Sequence, residues 1–95
     1  DLLALGCYDA MNKHGLNCPM DISVTGFNDM PYVDRFNPPL TTLHIPLDEL
    51  GVQAALLLLE RMQNPGALAK QLRLAPRMVI RESTTSPAEN TPPNK

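Results

Sequence analysis

An α/β fold is what this sequence predicts, and three observations predict it. Apolar residues recur at helical spacing over residues 2–14 and stop at Gly15, a short β-branched segment occupies residues 22–27, and a longer helical stretch runs over residues 46–63. Helix, short turn and strand in that order are half of a β-α-β unit, whose parallel strands are joined by a right-handed crossover. The core available is aliphatic, because hydrophobic residues make up 43% of the 95 whereas the aromatic ones are only Tyr8, Phe27, Tyr32 and Phe36, with no Trp.

The first helix carries Leu2, Leu5, Tyr8 or Ala10, and Met11 at spacings of three and four, with Asp1 as its N-cap. Gly15 followed by the apolar Leu16, with Pro19 close behind, is a C-terminal stop, so this helix ends at about His14. The sequence Ile22-Ser23-Val24-Thr25-Gly26-Phe27, bounded by turn residues on both sides, reads as a buried strand. Asn28-Asp29-Met30-Pro31 makes a turn, one or two helical turns fit before Phe36, and Pro38-Pro39 forbids their continuation. Residues 40–45 alternate with β-branched side chains and read as a strand or extended crossover.

Pro46 suits the first turn of a helix, and Asp48 and Glu49 lie where the helix dipole favours negative charge. Leu47, Leu50, Ala54, Leu57, Leu58 and Met62 form its apolar stripe, widened by the run of leucines at 56–59, so two neighbouring elements are expected to cover it. Asn64-Pro65-Gly66 ends this helix. Residues 71–75 and 77–81 alternate and read as two extended segments flanking Pro76. Residues 84–95, rich in Ser, Thr and Pro, read as a disordered tail.

Eight Lys and Arg against ten Asp and Glu give a net charge of −2, the wrong sign for a chain that neutralises several phosphates on a duplex. Cys7 and Cys18 match no zinc pattern and read as two reduced thiols of a cytoplasmic protein. The longest purely apolar run, residues 54–59, is too short to span a bilayer. No Ser-His-Asp arrangement, glycine-rich phosphate loop or paired carboxylates can be assembled, so the sequence predicts neither an enzyme nor a metal or cofactor site. His14 and His44 have no partner at catalytic or metal spacing, and Arg73, Arg77 and Arg81 read as a solvated face that discourages edge pairing. The chain opens in what already reads as a helix, without an initiator Met, which leads us to expect further sequence before it.

Four segments in order, Asp1-Leu2-Leu3-Ala4-Leu5-Gly6, the run from Gly15-Leu16-Asn17-Cys18-Pro19 through Ile22-Ser23-Val24-Thr25-Gly26-Phe27-Asn28-Asp29, Pro38-Pro39-Leu40-Thr41-Thr42 and Arg81-Glu82-Ser83-Thr84, resemble successive signature segments of the lactose/galactose-repressor family of bacterial transcription regulators. The resemblance implies a fragment of a two-lobed sensor similar to periplasmic sugar-binding proteins, with a small polar effector held between the lobes. It assigns residues 1–40 to the C-terminal lobe and residues 41–83 to a crossover, a helix of the other lobe and the final strands. It further implies a homodimer, with Leu5 and Phe36 at interface positions, and contact with operator DNA only through a helix-turn-helix headpiece outside this chain. A solute-binding protein of an import system shares the fold and is the alternative reading.

Ligands of open α/β sheets bind beyond the carboxyl ends of strands, and Asn28-Asp29 follow directly on residues 22–27. Asn28 is therefore the first candidate ligand contact and Asp29 the second, with a cap on the following helical turn as the alternative role for Asp29. Relatives more often place Asp where Asn28 stands; an amide both donates and accepts, whereas a carboxylate only accepts, so the effector of a relative does not transfer to this chain.

Overall fold

In the computed structural model, which describes residues 1–87, the first helix α1 spans Leu2–Lys13 and stops by the mechanism its sequence announces. Gly15 takes a left-handed φ of 69°, and this lets its N–H reach Asn12 O (3.3 Å) and that of Leu16 reach Met11 O (2.9 Å). These are the two hydrogen bonds of a Schellman ending, and they satisfy carbonyls the last turn would otherwise leave open.

The buried face of α1 differs from the expected stripe. Ala4, Tyr8 and Met11 are buried, whereas Leu2 is 67% and Leu5 41% exposed. Tyr8 sets the rotation: its hydroxyl donates to Pro38 O (2.8 Å) and its ring meets Phe36 edge-on, centroids 6.0 Å apart. With Tyr8 fixed inward, Ala4 and Met11 lie on the same face and Leu2 turns outward. Val24, Val33 and Leu40 complete this core, with Cys18 and Phe36 packed at its margin.

Contacts divide the chain into two units, Asp1–His44 with the chain from Arg77 onward, and Ile45–Pro76. In the first unit, β1 (Thr42–His44) pairs antiparallel with β2 (Arg77–Val79) in the register Thr42↔Val79, Leu43↔Met78, His44↔Arg77. The expected buried strand at 22–27 is instead an extended segment joined parallel to the β1 side at two isolated positions, Thr25↔Thr41 and Asn28↔His44. Gly26 N donates to Thr41 O and Asn28 N to Leu43 O, both at 2.9 Å. Val24 is buried, but Ile22 and Phe27 are 43% and 55% exposed. The short helical turn appears as a 3₁₀ turn at Val33–Arg35.

Residues at the start of the expected tail are tied down. Ser83 is fully buried, its hydroxyl donating to Val24 O and accepting from Thr41 N. Thr84 shares a hydrogen bond with Thr41 (2.9 Å), and Thr85 N donates to Ser23 Oγ (3.1 Å). Residues 88–95 of the expected tail lie outside the described residues.

In the second unit, α2 spans Leu47–Gln63 and ends at Asn64. Among the described residues the two covering neighbours expected for it are not found: no α2 residue is buried, and Leu47, Leu58 and Met62 are 60% or more exposed. Within its unit the helix meets only the returning segment, where Arg61 donates to Ala67 O (2.7 Å) and Lys70 pairs with Glu60 (2.6 Å). The expected extended segment at 71–75 forms no strand, since it has no ladder partner among the described residues. No helix among the described residues is long and apolar enough to cross a membrane.

Gly26 is the most closely approached of the five glycines. A Cβ there would overlap a carboxylate oxygen of Asp1 and stand 2.7 Å from Leu40 Cδ2. Gly26→Ala is expected to destabilise the protein by about 1–3 kcal/mol, the usual range for overpacking a tight site, measured by urea unfolding of the intact protein; an unchanged midpoint would show that this approach is slack.

Candidate ligand site

The loop from Phe27 to Met30 leaves the sheet side of the first unit with three unusual backbone angles close together: φ is 111° at Asn28, 54° at Asp29 and 77° at Tyr32. Asn and Asp are the non-glycine residues that tolerate positive φ best, which is why this turn can be built without glycine at its tip. Beyond the pairing of Asn28 with His44 the turn leaves the sheet, so its other backbone groups need partners elsewhere.

Asp1 supplies two of them. Its carboxylate accepts from Phe27 N (2.8 Å) and Met30 N (2.7 Å), and also from the Thr42 hydroxyl (2.9 Å). The sequence reading of Asp1 as a side-chain cap of α1 is corrected here, since it occupies the N-cap position without capping through its side chain. The carboxylate is drawn away to the loop because that loop passes close by over Gly26. Asp29 N completes the set with a long contact to Thr42 Oγ1 (3.4 Å).

Asp29 does not cap the 3₁₀ turn, whose N-cap is Tyr32. Both of its oxygens are engaged from other directions: Oδ2 with His44 Nδ1 at 2.9 Å and Oδ1 with an Arg81 terminal nitrogen at 3.0 Å. Arg81 is only 19% exposed and its other terminal nitrogen donates to Leu40 O (2.8 Å), so the solvated-face reading of this residue is corrected as well. His44, which has no partner at short sequence spacing, finds one fifteen residues back in Asp29.

Burial would raise the Asp29 pKa, but hydrogen bonds from His44 and Arg81 and the charge of both outweigh it and hold the carboxyl below its ordinary value of 3.8. Tyr8 is shifted the other way, chiefly by burial, in keeping with a neutral phenol in the core.

The two candidate contacts thus end up in different situations. Asn28 is exposed, its N–H is satisfied by Leu43 O, and its side-chain amide stands at the tip of a fixed loop. Asp29 beside it is occupied. Of the two residues read as interface positions, Leu5 lies on the exposed side of α1 and Phe36 is half-buried against Tyr8. Asp1, Thr42, His44 and Arg81 are the site-shaping residues that sequence reasoning did not find. No cluster of three or more His, Cys, Asp or Glu able to hold a metal occurs among the described residues.

A rigid polar loop beyond the end of an extended segment, next to a crossover, is the arrangement in which α/β proteins bind small ligands. Residues 1–84 match the periplasmic binding protein-like domain, and the chain belongs to that family. Within it, the chain matches regulators of the LacI type. It is similar to the ribose operon repressor of Haemophilus influenzae, 40% identical over 86 residues, which are 90% of this chain and 26% of that protein. It is also similar to a LacI family transcriptional regulator from Enterococcus faecium solved with bound ribose, at 37% identity and a TM-score of 0.76, covering 88% of this chain and 32% of that one. The lac repressor dimer solved with operator and the anti-inducer ONPF is 34% identical with a TM-score of 0.80, covering 90% of this chain and 30% of that one. The chain therefore spans about a quarter to a third of the proteins it matches.

Because the folded pKa of Asp29 is depressed, its contribution to stability is fully present above the ordinary value of 3.8 and is lost as pH falls through the lower folded value. The stability difference between the intact protein and its Asp29→Asn variant should accordingly be constant from neutral pH down to the carboxylate range and shrink below it. Thermal unfolding across that range reads this out, and a gap that widened on acidification would refute the assignment.

Proposed function

We propose that this chain is the effector-sensing part of a bacterial DNA-binding repressor, and that its effector is a sugar contacted by Asn28. The single observation behind this is the contrast within the loop: Asn28 has its N–H paired and its side chain exposed, while the N–H groups of Phe27 and Met30 and both carboxylate oxygens of Asp29 are already paired. An amide that both donates and accepts suits a hydroxyl, which does the same. The relatives support a sugar, since one is a ribose operon repressor and another holds ribose. Operator DNA is contacted through a part of the protein outside this chain, consistent with a net charge of −2 here. The repressor works in the cytoplasm as a homodimer and catalyses nothing.

Asn28→Ala in the full-length protein should weaken binding of D-ribose, the first sugar to try, by about ten- to a hundred-fold, the cost of roughly 1–3 kcal/mol for leaving a buried polar group unpaired. Asn28→Gly, which keeps the positive φ free of strain, should lose as much, with operator affinity in the absence of sugar unchanged in both. Calorimetric titration beside an operator-binding assay decides the matter; full affinity in Asn28→Gly would remove the amide from the site.

Dimerisation is assigned to Leu5 and Phe36. Leu5 is the cleaner probe, because Phe36 also packs on Tyr8 within its own unit. Leu5→Glu should raise the dimer dissociation constant by at least ten-fold, about 1.4 kcal/mol, through a charge desolvated at the interface. Sedimentation at several concentrations measures this, and an unchanged constant would take Leu5 out of the interface.

A further inference from the structure

Asp29 stands next to the proposed ligand contact, yet its two oxygens point back into the protein. One holds His44, the last residue of the first unit before the chain enters Ile45–Pro76, and the other holds Arg81, four residues after the chain returns at Arg77. Asp29 is 16% exposed and Arg81 19%, so this is a largely desolvated, charge-assisted contact. At Asn28 the loop is held by its N–H, which donates to Leu43 O, while the side chain is exposed.

From this we infer that Asp29 is a positioning residue, which with His44 and Arg81 sets the shape of the loop that presents the Asn28 amide. The inference rests on the reading of Asn28 as the ligand contact. Its physical content is that two consecutive residues with positive φ would relax toward ordinary conformations if their side-chain anchor were cut. Asp1 fixes the two ends of the loop, at Phe27 N and Met30 N, but neither of its oxygens reaches the tip. Asp29 fixes the tip. Arg81 suits the role because one guanidinium bridges the Asp29 carboxylate and Leu40 O, two groups a single ammonium cannot hold in the same way.

The test uses the full-length protein with Asp29→Asn, His44→Gln, Arg81→Met, Arg81→Lys and the double variant Asp29→Asn with Arg81→Met. Amide hydrogen exchange of Asn28, Asp29 and Met30 is measured without sugar, and D-ribose affinity is measured beside it. Asp29→Asn and Arg81→Met should each speed exchange at the loop by about ten-fold, with the rest of the first unit protected as before. Arg81→Lys should fall between Arg81→Met and the unaltered protein, because it restores the charge but only one of the two contacts. The double variant should be no worse than the worse single one, as expected of groups acting through one contact. Ribose affinity should fall in the same order as loop protection.

Unchanged loop exchange in Asp29→Asn would overturn the inference. So would a loss of ribose affinity without loosening of the loop, which would make Asp29 a direct contact, or strictly additive single effects, which would reduce Arg81 to packing. If the unaltered protein bound no ribose or other sugar, the sugar reading would fall, while the exchange pattern would still decide the role of Asp29.

Discussion

A four-residue loop with two successive residues at positive φ meets the sheet at Asn28 alone, whose N–H donates to Leu43 O, so the rest of its shape is what its other partners impose. Chief among them are two carboxylates. Asp1 takes the N–H groups at both ends of the loop, and Asp29, within the loop, reaches back to a histidine and an arginine. Much of the surrounding structure follows from accommodating them. Gly26 lacks a side chain because the Asp1 carboxylate fills the space a Cβ would need. Thr42 is buried in β1 with its hydroxyl donating to that same carboxylate.

Function emerges from what this arrangement leaves over. Asp29 is paired with Arg81, the Asp1 carboxylate is taken up by two backbone N–H groups and the Thr42 hydroxyl, and the neutral side chain of Asn28 faces solvent. A site built this way favours an uncharged hydroxyl-bearing ligand over an ion, because an ionic ligand would have to displace a buried pair to be matched. The chain also crosses between its two units beside this loop: β1 ends at His44 and β2 starts at Arg77, paired with each other. The residue gripped by Asp29 is therefore one end of a crossing.

Local rules were readable and long-range ones were not. The stop at Gly15 and the span of α2 follow from turn chemistry and helical periodicity, and both are found where the pattern places them. The inward face of α1 was not legible, because Leu2 and Leu5 are more hydrophobic than Ala4, and the choice between them is made by a tyrosine hydroxyl seeking a carbonyl thirty residues away. Residues 22–27 carried the composition of a buried strand, but a buried strand is paired on both edges and among the described residues this segment forms bridges only toward β1. Asn28 and Asp29 were singled out by their place after that segment. That Asp29 is paired while Asn28 is exposed depends on Arg81, fifty-two residues beyond Asp29, and no spacing rule connects such a pair.

The central claim, that a sugar is held by the Asn28 amide on a loop fixed by Asp29, is tested most directly by a crystal structure of the full-length protein grown with D-ribose. The account predicts a ribose hydroxyl within hydrogen-bond distance of the Asn28 side chain, with Asp29 still bound to His44 and Arg81. A sugar seated away from this loop, or Asp29 swung off Arg81 to take the sugar itself, would contradict it.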